Sequence, residues 1–197
     1  MHAQRLQSTT GSSVAGPLLL TPRVFGDERG FFFESWNQRA FAEALEADGQ
    51  PVPDFVQDNH SRSSAGVLRG LHFQHRQPQG KLVQVLKGHI FDVAVDLRPQ
   101  STAFGQVVAM TLQPGQSVWL PPGLAHGFYT LSDEAVVAYK CSAYFAADDQ
   151  YSVHYADPTL AIAWPWLSGD YPAPILSEKD AQAPSWLSIQ SMLLGTC

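Results

Sequence analysis

Fifteen residues of the sequence, VLRGLHFQHRQPQGK at positions 67–81, concentrate side chains that could carry out chemistry. They include the histidines His72 and His75, two arginines and Lys81. An imidazole can act as a base near neutral pH or bind a metal, and an ammonium can stabilise a negatively charged oxygen. The stretch therefore allows three interpretations: a metal site, an acid–base site, or polar residues at the end of a strand.

A second stretch, GQSVWLPPGLAH, has the composition of a tight turn between two strands. It follows the spacing G-x5-P-x-G-x2-H with Gly115, Pro121, Gly123 and His126. This spacing resembles the second motif of the cupin superfamily, whose members are small jelly-roll barrels with an internal active site. The resemblance implies that His126 points into the barrel.

Metal-binding cupins take further ligands from an H-x-H motif and a following glutamate, and here that pattern is incomplete. Residues two apart in a strand share a face, so His72 shares its face with Gln74 and not with His75. Gln74 takes the second histidine position, no glutamate follows, and Lys81 lies nearby. A divalent ion needs three or four ligands without a cation among them. The sequence therefore predicts no metal site, and His75 is predicted to be exposed.

A barrel interior with histidine, lysine and tyrosine but no metal favours proton transfer. A histidine can remove a proton next to a ketone, an ammonium can stabilise the resulting oxyanion, and a tyrosine can return a proton from the other side. Structural interpretations stay open for each residue. An interior tyrosine often packs with its hydroxyl hydrogen-bonded, and Asp180, three residues after Ser177, could simply close a capping box.

Length and composition restrict the class of protein. A chain of 197 residues with 45% hydrophobic and 15% charged residues is long enough for one sizeable core. The net charge of −6 argues against general nucleic-acid binding, and no apolar run is long enough for a membrane span. The two cysteines, Cys141 and Cys197, form no disulfide framework, which favours the cytoplasm.

Cations are unevenly distributed in this acidic chain. Such a concentration could hold a small anion such as a phosphate, or the charges could be solvated at strand ends. Half of the twelve lysines and arginines are Arg62, Arg69, Arg76, Lys81, Lys87 and Arg98.

Periodicity predicts an all-β domain. Residues 1–16 are predicted to be a loose tail and residues 17–197 a single domain. One helix is predicted after Asn37, with Phe41 and Leu45 on its buried face and Gly49 at its end. Short alternating runs between residues 55 and 164 predict an antiparallel sandwich or barrel, and a helical turn and a short helix are predicted after residue 176.

Longer blocks of the sequence resemble the dTDP-4-dehydrorhamnose 3,5-epimerase family. They cover residues 20–184 in family order and are FGDERGFFFESW, FVQDNHSRS, VLRGLHFQ, QGKLVQVLKGHIFDVAVDLR, PPGLAHGFYTLSD and LSEKDAQAP. The resemblance implies a cupin-type jelly roll that epimerises dTDP-4-dehydro-6-deoxy-D-glucose at C3 and C5, as a homodimer without metal or cofactor.

The resemblance also implies a role for individual residues. His72 matches the base, Asp180 the carboxylate that orients it, and Lys81 the cation beside the C4 oxygen. Tyr139 matches the acid on the opposite face. Substrate-contacting positions are matched by Arg69, His126, Gln57, Asn59, Lys179 and, on thymine, Phe145. Arg29 and Glu34 match residues that a partner's N-terminal strand supplies.

One departure and several alternatives remain open. Gln150 stands where some members have a glutamate, which makes the nucleotide end of the site less certain than the catalytic end. A mono-epimerase acting at C3 or C5 alone would share the same His, Lys and Tyr. A ketoisomerase is disfavoured by the intact GLHFQ, GK and AYK set, and a metal-dependent oxygenase by Gln74. A non-catalytic sugar-binding cupin would bind without turnover.

Overall fold

The computed structural model describes residues 1–196, and most of their regular structure is β-strand. The strands of this part are β1 (His2–Gln7), β2 (Ser13–Thr21), β3 (Phe25–Asp27), β4 (Gly30–Phe32), β5 (Gln57–Ser64), β6 (Leu68–Gln74), β7 (Lys81–Lys87), β8 (Ile90–Asp96), β9 (Val107–Leu112), β10 (Ser117–Leu120), β11 (Leu124–Thr130), β12 (Glu134–Cys141) and β13 (Gln150–Ser152). The α-helices are α1 (Gln38–Ala47), α2 (Glu178–Ala181) and α3 (Trp186–Leu194), with 3-10 turns at Ala147–Asp149 and Pro165–Ser168.

The strands form two antiparallel sheets that face each other. One sheet has the order β1-β2-β10-β7-β12-β5 and the other β13-β6-β11-β8-β9, while β3 and β4 form a separate hairpin. A buried cluster joins Val83 and Val137 of the first sheet to Ala94 and Phe128 of the second. The predicted cupin-type jelly roll is therefore confirmed.

The outer face of the five-stranded sheet is buried as well. Leu71 and Val93 pack there against Trp164 and Trp186 from the C-terminal part of the chain. Strands β8 and β11 are consequently covered on both faces, and their polar residues Asp92 and His126 are removed from water. Asp92 of β8, for example, is 0% exposed.

Helix α1 covers the outer face of the six-stranded sheet, as the sequence predicts. The side chain of Asn37 caps the helix by accepting a hydrogen bond from the Ala40 backbone N–H. Phe41 and Leu45 are buried against Trp119. The apolar spacing of four residues therefore decides which face of the helix meets the sheet.

The prediction of a loose tail over residues 1–16 is wrong. Strand β1 pairs with β2, with His2 opposite Thr21 and Gln7 opposite Ser13, and β2 runs across the predicted boundary at residue 17. Most residues of β1 are exposed. Backbone hydrogen bonds, and not burial, hold this edge strand. Its polar sequence therefore lacks the alternating apolar residues from which a strand is predicted.

Two further predictions concern membranes and cysteines. No helix within residues 1–196 is both long and apolar enough to cross a membrane. Cys141 is a free, buried thiol at the end of β12, and Cys197 lies outside the described residues.

The turn between β7 and β8 yields a stability prediction. Gly88 has φ +76°, and a Cβ there would lie 2.0 Å from the backbone oxygen of Glu134. Gly49 has a similar φ of +74° but nothing within 4 Å. We expect Gly88→Ala to lower the free energy of unfolding by more than about 2 kcal/mol, because a clash adds to the left-handed backbone. Gly49→Ala should cost about 1 kcal/mol. Urea denaturation measures both, and equal losses would contradict the steric explanation.

Candidate active site

Strand β6 presents two polar side chains to the space between the sheets. His72 lies directly opposite His126 of β11 in the antiparallel register. Arg69 donates hydrogen bonds to Ser63 Oγ at 3.0 Å and to the backbone oxygen of Arg62 at 3.2 Å, both on β5. His75 follows the last residue of β6 and is exposed, as predicted, with its ring 6.2 Å from that of Tyr151.

His72 forms a short hydrogen bond with Asp180. The distance between His72 Nε2 and Asp180 Oδ1 is 2.5 Å, although the residues are 108 positions apart. Burial by itself raises the pKa of Asp180. The hydrogen bonds from His72, Ser177 and the Gly70 backbone outweigh burial and hold that pKa below its ordinary value. The carboxylate is therefore ionised at neutral pH and orients the imidazole ring.

Two local features position Asp180 next to His72. Ile175 forms a parallel bridge with Val67, just before β6, which brings the C-terminal segment alongside the catalytic strand. Ser177 then caps helix α2 by accepting the Asp180 backbone N–H at 3.1 Å, and it donates to Asp180 Oδ2 at 2.9 Å. Asp180 therefore takes part both in the cap of helix α2 and in the hydrogen bond with His72.

The six-stranded sheet contributes a tyrosine and a lysine. Tyr139 on β12 has its hydroxyl 3.2 Å from Ser61 Oγ. Burial raises the pKa of Tyr139 well above its ordinary value, and the Ser61 hydrogen bond offsets this only in part. Lys81 lies opposite Cys141 in the β7–β12 register. Burial lowers the pKa of Lys81, against the opposing influence of Cys141 and Asp92.

A second histidine–carboxylate pair lies within the five-stranded sheet, between β11 and β8, and sequence reasoning missed its acid. His126 Nε2 lies 2.8 Å from Asp92 Oδ2, and both side chains are buried. The His126 ring is also 6.2 Å from the Tyr139 ring. Asp92 Oδ1 has no hydrogen-bond partner among the described residues. The only sequence signal was an aspartate alternating with apolar residues in a buried strand.

His72 and Asp180 line a pocket of about 370 Å³ with three other residues that the sequence singled out: Arg69, Lys179 and Gln150. Lys179 Nζ donates to Gln150 Oε1 at 2.6 Å, which joins helix α2 to strand β13 at the pocket wall. A cavity of this size, with cations and a histidine–carboxylate pair, suits a polar, anionic small molecule.

Gln57, Asn59 and Phe145 form a connected group at the end of β5. Gln57 Oε1 accepts the Phe145 backbone N–H at 2.9 Å, and Gln57 Nε2 donates to Asn59 Oδ1 at 3.0 Å. Asn59 Nδ2 in turn reaches the sulfur of Cys141 at 3.6 Å. The ring of Phe145 is left half-exposed.

Eight of the twelve predicted site residues do not line the pocket around His72. Six of them are described above: Lys81, Tyr139, His126, Gln57, Asn59 and Phe145. The other two are Arg29, which pairs with Asp27 in the exposed β3–β4 hairpin, and Glu34, which accepts a hydrogen bond from Asn37 at 3.1 Å. Neither of these two hydrogen-bonds to another predicted site residue within residues 1–196.

No group of three or more His, Cys, Asp or Glu side chains within residues 1–196 is arranged to hold a metal ion. At the position where the H-x-H pattern requires a ligand, the Gln74 amide is occupied by backbone hydrogen bonds. The groups that are present, an imidazole oriented by a carboxylate, a lysine and a protonated tyrosine, are groups that acid–base chemistry can use.

Comparisons with known proteins agree with this geometry. The family model described as dTDP-4-dehydrorhamnose 3,5-epimerase matches residues 11–188. The enzyme of that name from Pseudomonas aeruginosa is 50% identical over 179 residues, which are 90% of this chain and 94% of that protein. The one from Escherichia coli is 51% identical over 166 residues, covering 83% of this chain and 85% of that protein.

A solved structure is similar over nearly the whole chain. It is a dTDP-6-deoxy-D-glucose-3,5-epimerase from Legionella pneumophila in complex with dTDP-4-keto-L-rhamnose. The TM-score is 0.84 at 44% identity, and the match covers 98% of this chain and 97% of that one.

The buried cation at Lys81 yields a prediction about stability and pH. A lysine whose folded-state pKa is lowered destabilises the fold below that pKa, and the penalty disappears as pH rises toward the ordinary value of about 10.4. We expect Lys81→Met to raise the free energy of unfolding by roughly 1 kcal/mol at pH 7, with the gain shrinking as the pH approaches 10.

Lys140 provides the control, because its ammonium is partly exposed and pairs with Asp58 at 2.9 Å. Lys140→Met should change stability by about 0.5 kcal/mol or less. Urea denaturation at both pH values measures the difference. A Lys81→Met protein less stable than the parent at pH 7 would refute the prediction.

Proposed function

Because the chain belongs to the dTDP-4-dehydrorhamnose 3,5-epimerase family, we infer that it is an isomerase of dTDP-L-rhamnose biosynthesis. It converts dTDP-4-dehydro-6-deoxy-D-glucose to dTDP-4-dehydro-L-rhamnose by inverting C3 and C5. The observation that carries this function is the His72–Asp180 hydrogen bond in a pocket shared with Arg69 and Lys179. The roles of the individual residues, given below, are our proposals.

His72 is the base that removes the protons at C3 and C5. The C4 ketone makes both protons acidic, so one base can serve both carbons in turn. Since Nε2 is bonded to Asp180, Nδ1 is the nitrogen left with a lone pair for the substrate. The ionised carboxylate stabilises the imidazolium that forms, and the proton is later lost to solvent.

Lys81 and Tyr139 complete the transfer. When a C–H bond breaks, its electron pair moves into an enolate whose charge collects on the C4 oxygen, and the Lys81 ammonium stabilises that charge. Tyr139 then donates its phenolic proton to the carbon from the opposite face, which inverts the centre. Its raised pKa supports this role, because the hydroxyl stays protonated until the reaction needs it.

The remaining residues bind the substrate. Arg69, Lys179 and His126 surround the sugar and phosphates, where cations favour an anionic ligand. Gln57 and Asn59 contact the substrate at the end of β5, and Phe145 stacks on thymine. The half-exposed ring of Phe145 supports this last role. Catalysis by these side chains needs neither a metal nor a cofactor.

The active enzyme is a homodimer in which N-terminal strands are exchanged. Arg29 and Glu34 then contact the nucleotide bound to the partner subunit. Two observations support this proposal: both residues lie away from the pocket of their own chain, and the adjoining hairpin exposes Phe25, Phe31 and Phe32. Apolar surface of this kind marks an interaction site.

We also propose that the enzyme works in the cytoplasm. The thiol of Cys141 is buried and free, and it lies opposite Lys81 in the barrel. A reducing compartment keeps such a thiol unmodified.

Proton exchange tests the reaction directly. The protein is incubated with dTDP-4-dehydro-6-deoxy-D-glucose in deuterated water and followed by NMR. We expect deuterium at both C3 and C5, with the L-sugar captured by a reductase. His72→Ala should abolish most of the exchange. Tyr139→Phe should retain part of it but lose most of the inversion, because the enolate still forms.

The other outcomes distinguish the alternatives. Label at C3 or C5 alone would identify a mono-epimerase, and binding without any label would identify a non-catalytic cupin. Exchange unchanged in His72→Ala would remove His72 from the role of base. Formation of the L-sugar at the parental rate by Tyr139→Phe would refute the proposed acid.

Mixing variants tests whether Arg29 acts across the dimer. His72→Ala and Arg29→Ala subunits are unfolded, combined in equal amounts and refolded, then assayed at low substrate concentration. If Arg29 serves the partner's site, each heterodimer has one intact site, and about a quarter of the parental activity should return.

The control mixture combines His72→Ala with Tyr139→Phe. These two residues serve the same site of one chain, so no heterodimer has an intact site and no activity should return. A mixture with Arg29→Ala that recovers no more than this control would place Arg29 in its own chain's site or outside any site.

A further inference from the structure

The segment that carries Phe145 has no regular structure of its own. It runs from the end of β12 at Cys141 to the 3-10 turn at Ala147–Asp149. Because the segment is not part of a β-sheet, its backbone N–H and C=O groups need hydrogen-bond partners other than those of a neighbouring strand. Here the Gly80 backbone and the side chains of Gln57, Gln74 and Gln79 supply such partners, and the most buried of these side chains is Gln74 of β6.

Gln74 forms three hydrogen bonds with backbone groups. Its Nε2 donates to the oxygen of Gln77 at 2.8 Å and to that of Tyr144 at 3.2 Å, and its Oε1 accepts the N–H of Ala146 at 2.9 Å. The residue is 5% exposed. Both amide donors are thus used, and the side chain is fixed in one orientation.

These hydrogen bonds fix the backbone on both sides of Phe145. Gln74 holds the peptide groups on either side of it, through Tyr144 and Ala146, while Gln57 holds the N–H of Phe145 itself. The Phe145 ring is 52% exposed, so packing alone cannot fix its direction. Its placement therefore depends on the backbone, and Gln57 and Gln74 are the side chains that hold the peptide groups on either side of the ring.

We propose that Gln74 is a positioning residue that presents Phe145 as a preorganised platform for the nucleotide base. This rests on the proposed function, in which Phe145 stacks on thymine. Gln74 and His72 share one face of β6 and are two residues apart, a rise of roughly 6.6 Å. Strand β6 thus carries His72, the proposed catalytic base, and through Gln74 it also holds the segment that presents Phe145.

Gln74→Met tests the proposal, since it keeps the approximate volume but removes all three hydrogen bonds. We expect the Kd for dTDP and the KM for the nucleotide sugar to rise about tenfold, because an ordered stacking platform is lost. The kcat should stay within about twofold, because His72, Lys81 and Tyr139 are untouched.

Gln50 offers a matched control. It also makes three hydrogen bonds, donating to Gly16 O and Asp48 Oδ2 and accepting from Trp119 Nε1, away from the pocket. Gln50→Met should lower thermal stability but leave the Kd and KM unchanged. If Gln50→Met raised the KM as much as Gln74→Met, the rise would be a result of general destabilisation, and the proposal would be overturned.

A double-mutant cycle shows whether Gln74 acts through Phe145. Phe145→Ala alone should weaken dTDP binding, and adding Gln74→Met should weaken it little further, because the platform is already gone. Fully additive losses, or a Gln74→Met protein with parental Kd and KM, would overturn the proposal. If Gln74→Met does not fold, Gln74→Glu, which keeps the acceptor but loses both donors, replaces it in the cycle.

Failure of the proposed function gives a different result. A parent protein that neither binds dTDP nor exchanges protons at C3 or C5 would refute the function itself. A parent that does both, combined with additive losses in the cycle, would refute only the role of Gln74.

Discussion

The hydrogen bond between His72 and Asp180 is the contact on which the site depends. Its two partners come from β6 and from helix α2, far apart in the chain, and meet only because Ile175 bridges to Val67 before β6. A base needs one ring nitrogen protonated and held, so that the other keeps its lone pair toward the substrate. The C-terminal segment, which packs on the outer face of the five-stranded sheet, therefore also fixes the orientation of the His72 ring.

The barrel interior buries charged groups that water would otherwise solvate. Asp92 is compensated by His126, burial lowers the pKa of Lys81, and the Tyr139 hydroxyl remains protonated. Each perturbation has a cost in stability, and each prepares a group for a charge that develops only during proton transfer. The jelly roll can sustain this cost because both faces of its central strands pack against apolar layers.

Periodicity predicted what depends on neighbours in the sequence. Alternation separated His72 from His75, and the spacing of Phe41 and Leu45 predicted the buried face of helix α1. Periodicity did not predict β1, which is held by backbone pairing, or the Asp92–His126 pair, which depends on the register between β8 and β11. The role of Asp180 followed only from the family resemblance, because no local pattern indicates that α2 reaches β6. The contact proposed between a nucleotide and Arg29 and Glu34 would require a second chain, which no single-chain pattern specifies.

Gln74 stands where the H-x-H pattern of metal-binding cupins has its second histidine. Its neutral amide is engaged in backbone hydrogen bonds and is not free to bind a metal ion. It also provides cross-links, since Gln74 ties β6 to the segments at Gln77, Tyr144 and Ala146, which a metal would otherwise have to order through ligands. The position thus connects strand β6 to the segment that carries Phe145.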